Sequence, residues 1–359
     1  MKTQIDMKDL DSIPSNGYNV VSTFSGCGGS SLGYKLAGYS VLSALEFIPN
    51  AYNTYKANFP STKVIEEDIR VISGSDILDV CGLKKYELDV LDGSPPCSDF
   101  SINGKREKGW GMVKKYSSTK QRVDDLFFEY ARIVNDIQPK VIIAENVKGL
   151  TIGKAKDVLN EILKTLDNIG YEVDYKVLDA SDYEVPQKRE RTIIIGVRKD
   201  LVEKYDVHPV FPEPLKYKIS CKEAIEDLMD KGTDQPKSVS KRDELMEKYF
   251  HSGCSSVDIK NICKANGLKV YEQSYRRDKW EEPYYTIKQH HTRPYHPIVD
   301  RVLSVNEAKR IQTFPDDFKL LHSPTQNWER IGRAVPPNLM KHISKTVQTE
   351  ILDKIKAPE

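Results

Sequence analysis

The sequence predicts an α/β fold, in which helices cover both faces of a doubly wound, mostly parallel sheet. Between Tyr18 and about Val197, short apolar runs alternate with longer stretches of helical periodicity. This alternation is typical of parallel sheets, because a helix usually carries the chain back to the next parallel strand. After Lys199 the periodic apolar runs become sparse, and prolines and charged stretches prevail to about Pro283. That change predicts a smaller inserted domain.

Each strand is predicted where a short apolar run ends at a glycine-rich turn or a charged residue. These runs are Asn19 to Phe24, Tyr39 to Leu45, Val64 to Ile65, Leu88 to Leu91, Val141 to Ala144, Tyr171 to Leu178 and Thr192 to Val197. Helices are predicted at about Ser30 to Gly38, Pro49 to Asn58, Asp124 to Asp136, Lys154 to Ile169, Val305 to Ile311 and Leu339 to Ile355. We therefore expect a first domain over 15–199, an inserted domain over 200–295, and a C-terminal segment over 296–359 whose helix returns to the first domain.

Composition excludes several classes of protein. With 359 residues, the chain can bury a large core and is not a small disulfide-stapled scaffold. Six cysteines without a C-x-x-C pair favour reduced thiols, and the grouping of His251, Cys254 and Cys263 is too weak to predict a metal. No apolar run approaches the length that spans a bilayer, so we expect a soluble, cytoplasmic protein that binds neither metal nor membrane.

A net charge of +1 means that any binding of nucleic acid must come from local basic patches. One patch follows Cys97 and consists of Lys105, Arg106, Lys108, Lys114, Lys115, Lys120 and Arg122. A second patch, between Lys260 and Arg293, interleaves cations with tyrosines and a tryptophan, which suits nucleic acid. An ordinary solvated face is the alternative for either patch.

The proline pair before Cys97 predicts a cysteine that is displayed rather than buried. The apolar run ends at Asp92, and Pro95 and Pro96 then fix φ and stop the strand. Cys97 is thus expected in a stiff loop at the carboxyl end of a strand, where open α/β sheets bind ligands. A thiolate there suits covalent catalysis, although a lone cysteine more often fills a core. A later strand ends in Glu145, which would bring a carboxyl group to the same edge of the sheet.

The turn Phe24-Ser25-Gly26-Cys27-Gly28-Gly29 is suited to a cofactor that contains adenosine. Its glycines allow close backbone approach, and Glu46 at the end of the second strand can accept hydrogen bonds from ribose hydroxyls. Asp68, near the end of the third strand, can accept one from an adenine amino group or cap a helix. Nicotinamide and S-adenosylmethionine cofactors both fit, and a tight turn without a ligand is the alternative.

The segment Gln187-Lys188-Arg189-Glu190-Arg191 would place three side chains on one face if it is extended. Gln187, Arg189 and Arg191 alternate with the other two residues, and two guanidiniums on one face can hold phosphates or a carbonyl oxygen. An exposed, charged strand edge is the alternative.

As an ordered set, these segments closely resemble the DNA cytosine-5 methyltransferases of prokaryotes and phages. The set is Phe24 to Gly29, Glu46, Asp68, Ser94 to Cys97, Glu145 to Val147, Gln187 to Arg191, Glu307 with Arg310 to Pro315, and Ile331 to Pro337. The resemblance covers nearly the whole chain and implies the class I S-adenosylmethionine-dependent methyltransferase fold. It also implies transfer of a methyl group to C5 of a cytosine in a specific duplex DNA sequence, with target recognition between about residues 200 and 290.

The resemblance implies four catalytic residues. Cys97 would add to C6 of the cytosine, while Glu145, kept protonated by its enclosed site, would hydrogen-bond N3. Arg191 would hold the cytosine carbonyl oxygen, and Arg189 the nearby backbone or a loop. Asn146 would brace the Pro95-Pro96 loop. The target base must leave the helix, and the basic stretch after Cys97 would close over it.

The resemblance also implies the residues that hold S-adenosyl-L-methionine and release S-adenosyl-L-homocysteine. These are Phe24, Gly26, Cys27, Gly29, Glu46, Phe47, Asp68, Ile69, Pro95 and Arg333. Arg333 departs from the family pattern, which usually has asparagine there. Ser98 likewise replaces a frequent glutamine.

Other functions stay open on the sequence alone. A tRNA cytosine-5 methyltransferase could use the same Cys97 and Glu145, although the ending Ala334-Val335-Pro336-Pro337 resembles the DNA-acting branch more. A DNA-binding regulator on this scaffold would not need either residue, and a nicotinamide enzyme would not need the displayed cysteine. We expect a monomer that binds double-stranded DNA. Pairing with a restriction endonuclease that acts on the same site, phage-borne modification and a solitary regulator all stay open.

Overall fold

The computed structural model describes residues 5–96, 114–116, 119–121, 125–153, 155–231, 248–250, 253–254, 256–267, 277–289, 294–299 and 301–356. The expected nucleophile Cys97 and most of the basic stretch after it lie outside these residues.

A seven-stranded, mostly parallel sheet forms the centre of the fold, as predicted. The strands within the described residues are β1 Asn19–Thr23, β2 Ser40–Leu45, β3 Lys63–Ile65, β4 Val90–Gly93, β5 Lys114–Tyr116, β6 Thr119–Gln121, β7 Val141–Val147, β8 Tyr171–Asp179, β9 Gln187–Lys188, β10 Glu190–Arg198 and β11 Tyr284–Tyr285. In the large sheet the order is β3-β2-β1-β4-β7-β10-β8. Strands β5 and β6 form a separate antiparallel pair, and β9 pairs with β11 in parallel.

One strand of the large sheet runs against the others. Strands β3, β2, β1, β4 and β7 are parallel to one another, whereas β10 pairs antiparallel with both β7 and β8. The connection from β8 to β10 spans only residues 180–189. Because that length leaves no room for a helical crossover, the two strands pair as antiparallel neighbours.

The described helices are distributed along the whole chain. They are α1 Gly29–Leu36, α2 Pro49–Asn58, α3 Gly74–Cys81, α4 Leu126–Ile137, α5 Ala155–Asn168, α6 Lys199–Tyr205, α7 Cys221–Ile225, α8 Ser256–Ala265, α9 Val305–Ile311, α10 Pro324–Arg333, α11 Pro337–Val347 and α12 Asp353–Lys356, with a π-helical turn at Gln348–Leu352. Single 3-10 turns lie at Met7–Ser12, Lys148–Thr151, Ala180–Asp182 and Glu226–Lys231. None of the described helices is long and apolar enough to cross a membrane.

Helix α4 anchors the centre of the sheet to its covering layer. Its apolar face is buried, and the hydroxyl of Tyr130 donates to the carbonyls of Leu91 at 3.0 Å and Ile143 at 3.3 Å. Strand residues Val141 to Ala144 are buried as well. Both faces of these central strands are therefore covered, which explains why they are continuous apolar runs rather than alternating ones.

Contacts divide the chain into two units. One holds the described residues of Met7–Asp179, Glu190–Pro214 and Val335–Glu359, and the other those of Met1–Asp6, Ala180–Arg189 and Leu215–Ala334. The first unit contains the large sheet and the C-terminal helix, because Tyr39 donates to the carbonyl of Ser344 and a Cβ on Gly33 would lie 2.6 Å from that of Met340.

The second unit extends further along the chain than the inserted domain expected from composition. Helix α9 packs on α7, and Arg310 donates to the carbonyl of Ala224, which assigns 301–334 to this unit by contact. Composition marks only where prolines and charge become frequent. The domain limits 15–199, 200–295 and 296–359 stay a prediction.

Candidate active site

The ends of neighbouring parallel strands bring the expected site residues of the first unit to one edge of the sheet. Strands β3, β2, β1, β4 and β7 are consecutive in the sheet, and their carboxyl ends lie on the same side. From one flank to the other, this edge carries Asp68, Glu46, the turn from Phe24 to Gly29, Pro95 and Glu145. We call it the catalytic edge.

The glycine-rich turn is shaped by left-handed backbone at two glycines. Gly26 has φ of 56° and Gly28 has φ of 100°. A Cβ on Gly28 would lie 2.3 Å from a ring carbon of Phe59, so packing also requires glycine there. At Gly26 a Cβ would meet nothing within 4 Å. The turn therefore leaves open space in front of Gly26 and leads directly into the N-terminus of α1.

Glu46 ties this turn to the end of β2. Its side chain is buried, and its two carboxylate oxygens accept the backbone N–H groups of Gly26 and Ile48, each at 2.9 Å. Sequence reasoning expected Glu46 to face a ribose and did not foresee this backbone role. The carboxylate thus shapes the turn that it borders.

The remaining cofactor candidates of the first unit differ in which atoms they can present. Cys27, Ile69 and Pro95 are buried, whereas Phe24 and Phe47 are half-buried. The first two therefore have side chains that belong to the core, and only their backbone can face a ligand. The aromatic rings can do so directly.

The Glu145 carboxylate pairs with the Arg191 guanidinium at the β7 end of the catalytic edge. The two atoms, Arg191 Nε and Glu145 Oε1, are 2.9 Å apart, and both side chains are about one-eighth exposed, at 13% and 12%. The antiparallel register places Ile193 opposite Glu145, so Arg191 lies diagonally across on the same face. Burial lowers the pKa of Arg191, which the Glu145 carboxylate partly offsets.

The guanidinium of Arg191 is thus a side-chain partner of Glu145 in this structure. That Glu145 is protonated and hydrogen-bonds N3 of a cytosine stays a prediction.

Asn146 links the end of β7 to the proline loop after β4. Its side-chain amide donates to the Pro95 carbonyl at 3.2 Å, and its own oxygen accepts the N–H of Val147 at 2.8 Å. Only 3% of Asn146 is exposed, so both bonds are shielded from water. The expectation that Asn146 braces the Pro95-Pro96 loop is confirmed.

Asp92 is a buried acid that sequence reasoning treated only as the end of a strand. It is 1% exposed and accepts hydrogen bonds from Ser22 at 2.7 Å and Tyr34 at 3.4 Å. Burial raises its pKa to about 7, which the bonds from Ser22 and Tyr34 oppose and the charge of Glu145 supports. The signal in the sequence was an aspartate directly after an apolar strand and before Gly93.

Asp92→Asn should change how stability depends on pH. Because its pKa is raised, Asp92 keeps a proton in the folded protein that it loses in the unfolded chain above the ordinary pKa of 3.8. Wild-type stability from this group is therefore full below about pH 4 and is lost as pH rises to about 7. Asparagine does not titrate, so the free energy of unfolding of the variant relative to wild type should rise across that window. Urea unfolding of both proteins at the two ends of this pH window measures the difference in unfolding free energy. A difference that does not change with pH would contradict the prediction.

The alternation expected for residues 187–191 is present, because Gln187 and Arg189 are buried and Arg191 is partly buried, whereas Lys188 and Glu190 are exposed. In the second unit, Arg189 follows β9, which ends at Lys188. Arg189 is 2% exposed, and its guanidinium donates to three backbone carbonyls, those of Ile287, Gly332 and Ala334.

Gln187 is buried too, and its side chain bonds Gln312 and the N–H of Ile287. Because buried donors need hydrogen-bond partners, the buried guanidinium of Arg189 is satisfied by backbone carbonyls. Arg189 thus holds backbone, as the resemblance implied.

Arg333 also lies in the second unit, at the end of α10. Its guanidinium pairs with Glu329 one helical turn earlier, at 2.6 Å. The preceding Gly332 is required by packing, because a Cβ there would lie 2.6 Å from backbone atoms of Lys288. The role of Arg333 toward a cofactor stays a prediction.

Comparison with known proteins agrees with this arrangement of elements and motifs. The family model of the C-5 cytosine-specific DNA methylases matches residues 18–349. The chain belongs to this family. The methylase is therefore a DNA cytosine-5 methyltransferase, and its expected family and fold class are confirmed.

Among its relatives, the type II methyltransferase M.Sau96I of Staphylococcus aureus is 36% identical over 341 residues, covering 92% of this chain and 75% of that protein. M.PspPI of a Psychrobacter strain, also a type II methyltransferase, is 35% identical over 353 residues, with coverage of 93% and 80%. A candidate DNA modification methyltransferase encoded within an Escherichia coli prophage has the same fold, with a TM-score of 0.69, 24% identity and coverage of 94% and 100%.

Proposed function

We propose that this methylase transfers the methyl group of S-adenosyl-L-methionine to C5 of a flipped-out cytosine, through a covalent adduct with Cys97. The observation that supports it best is the Glu145–Arg191 pair, which Asn146 links to the proline loop immediately before Cys97. An acid and a cation beside the loop of a cysteine nucleophile are what addition to a cytosine ring requires.

The residues of the catalytic edge fit the proposed cofactor. Open space in front of Gly26 and the N-terminus of α1 can accept its methionine portion, and Phe24 or Phe47 can lie against the adenine ring. Carboxylates at the ends of β2 and β3, those of Glu46 and Asp68, can accept hydrogen bonds from ribose and adenine. When bound, S-adenosyl-L-methionine supplies an electrophilic methyl group and leaves as the neutral thioether S-adenosyl-L-homocysteine.

The side chains of the methylase divide the chemistry between them. The Cys97 thiolate adds to C6 of the cytosine and forms a carbon–sulfur bond, and the ring electrons move toward C5. Glu145 hydrogen-bonds or protonates N3, which makes that addition favourable. Arg191, now beside Glu145, would turn to the carbonyl oxygen of the cytosine. C5 then takes the methyl group, a base removes the C5 proton, and the returning electrons expel Cys97.

The proposed substrate is a cytosine within duplex DNA. Because C5 and C6 cannot be reached inside the base stack, that cytosine must be flipped out. Two relatives are named type II methyltransferases, which supports modification of one specific duplex sequence with a restriction endonuclease acting at the same site. The region between about 200 and 290 would read that sequence, with the methylase acting as a monomer in the cytoplasm.

Labelled S-adenosyl-L-methionine tests the proposal directly. The methylase is incubated with mixed-sequence duplex DNA and, in parallel, with tRNA, and the labelled base is mapped. Label at C5 of cytosine within one duplex sequence is expected. Label in tRNA would replace the substrate with RNA, and no label in either would leave a binding protein.

Glu46→Gln should weaken cofactor binding selectively. The carboxylate of Glu46 accepts hydrogen bonds from two backbone N–H groups, and the substitution places an amide N–H against one of them. It also weakens the proposed hydrogen bonds to the ribose. We expect the Kd for S-adenosyl-L-homocysteine to rise roughly 10- to 100-fold by calorimetry, with little change in DNA affinity. Glu66→Gln is the matched control, because Glu66 is exposed and pairs with Lys56. Equal effects of the two substitutions would contradict the assignment.

A further inference from the structure

Arg70 connects the catalytic edge to the start of α4. Its Nη1 lies 3.0 Å from Asp68 Oδ2 and 3.4 Å from Asp68 Oδ1, and its Nη2 lies 2.8 Å from Asp125 Oδ1. The backbone N–H of Arg70 also donates to Asp68 Oδ1, at 3.1 Å. Two donor nitrogens of Arg70 therefore make three hydrogen bonds to the Asp68 carboxylate, and a third nitrogen reaches the residue that precedes α4.

Asp125 is the N-cap residue of α4, a position at which an aspartate usually accepts a hydrogen bond from the first turn of the helix. It makes no side-chain capping hydrogen bond in α4 and instead accepts the guanidinium of Arg70. A capping role is thus replaced by a bond to the segment that carries Asp68.

A second arginine connects the same two segments in the opposite direction. Arg132 of α4 donates through Nη2 to the carbonyls of Ile69 at 2.6 Å and Ile72 at 3.0 Å. Because α4 is itself bonded to β4 and β7 through Tyr130, the position of residues 68–72 is set relative to the centre of the sheet. Arg70 adds to this backbone attachment the orientation of one carboxylate.

We propose that Arg70 is a positioning residue for the cofactor, which holds the Asp68 carboxylate in the orientation that accepts the amino group of adenine. Arg70 does not touch the cofactor. It acts through Asp68, and the inference rests on the proposed function of that residue. A carboxylate locked in one orientation distinguishes an amino group, which donates, from a carbonyl oxygen, which repels it.

The test is a ratio of two affinities. Calorimetry with the whole protein measures the Kd for S-adenosyl-L-homocysteine and for S-inosyl-L-homocysteine, in which a carbonyl replaces the amino group. Wild type should prefer the adenosyl ligand strongly. Arg70→Gln should reduce that preference roughly tenfold, since a hydrogen bond to a charged group is disturbed. A merely structural loss would weaken both ligands alike and leave the ratio unchanged.

Three further variants complete the test. Asp125→Asn should reduce the ratio less than Arg70→Gln, because it removes only the far partner of the guanidinium. Lys56→Gln is the matched control: it breaks the exposed Lys56–Glu66 pair beyond the same strand and should leave the ratio intact. Asp68→Asn distinguishes the adenine contact of Asp68 from the positioning role of Arg70.

If Asp68→Asn leaves the preference unchanged, the proposed adenine contact itself fails. If Asp68→Asn removes the preference while Arg70→Gln and Asp125→Asn retain it, the adenine contact stands and the positioning role of Arg70 is overturned. Should Arg70→Gln lack a cooperative thermal transition, the ratio in Asp125→Asn decides, and an unchanged ratio there overturns the proposal.

Discussion

Replacing Cys97 with alanine should abolish methyl transfer and leave binding to duplex DNA intact. Without addition of a thiolate to C6, C5 of cytosine has too little electron density to attack a methyl group. We expect the rate of transfer to fall by at least about 10⁴-fold, as when the nucleophile of a covalent mechanism is removed. Alanine keeps the small volume of cysteine, so DNA affinity should change little in a binding titration.

A duplex that carries 5-fluorocytosine at the target makes the adduct itself measurable. Turnover ends with loss of the C5 hydrogen as a proton, and fluorine cannot leave as a cation, so the carbon–sulfur bond should persist. Denaturing electrophoresis should show a protein–DNA adduct for wild type and none for Cys97→Ala.

Cys81→Ala is the control for this adduct, because burial raises the pKa of the Cys81 thiol to about 11 and keeps it unreactive. It should form the adduct as wild type does. An adduct or methyl transfer in Cys97→Ala would refute the assignment.

Local signals predicted most elements of the large sheet and its helices. Helix α2 occupies the predicted range Pro49–Asn58, since proline at its first position and a break at Phe59 are both local features. The reversal of β10 was not predicted. It depends on the short connection from Ala180 to Arg189, whose length excludes a crossover helix, and on pairing with β7 rather than on propensity.

The candidate site was predictable where it depends on strand ends alone. Pro95 and Glu145 follow neighbouring parallel strands, so their common edge follows from the alternation of strands and helices. The partner of Glu145 was not predictable, because Arg191 reaches it only through the register of two antiparallel strands. Asp92 was missed for a related reason: its burial depends on neighbours that are distant in sequence.

Glu145→Gln should lower both activity and stability, and the two losses have separable causes. Glutamine cannot deliver a proton to N3 of the cytosine, so kcat should fall roughly 10²- to 10⁴-fold, the range for a general acid. It also leaves the Arg191 guanidinium largely buried without its carboxylate. Breaking such a pair costs about 3 kcal/mol of unfolding free energy, at the lower end of the range because the pair is partly exposed.

The double variant Glu145→Gln with Arg191→Gln distinguishes these causes. Removing the unpaired cation should restore much of the unfolding free energy measured in urea, while methyl transfer stays as low as in the single variant or falls further. Glu190→Gln is the control, because its pair with Lys148 is 50% and 37% exposed and contributes at most about 1 kcal/mol. If kcat of Glu145→Gln lies within about threefold of wild type, Glu145 is not the acid. If instead the double variant recovers activity together with stability, the loss in the single variant was one of folding, and the carboxyl group serves only to neutralise Arg191.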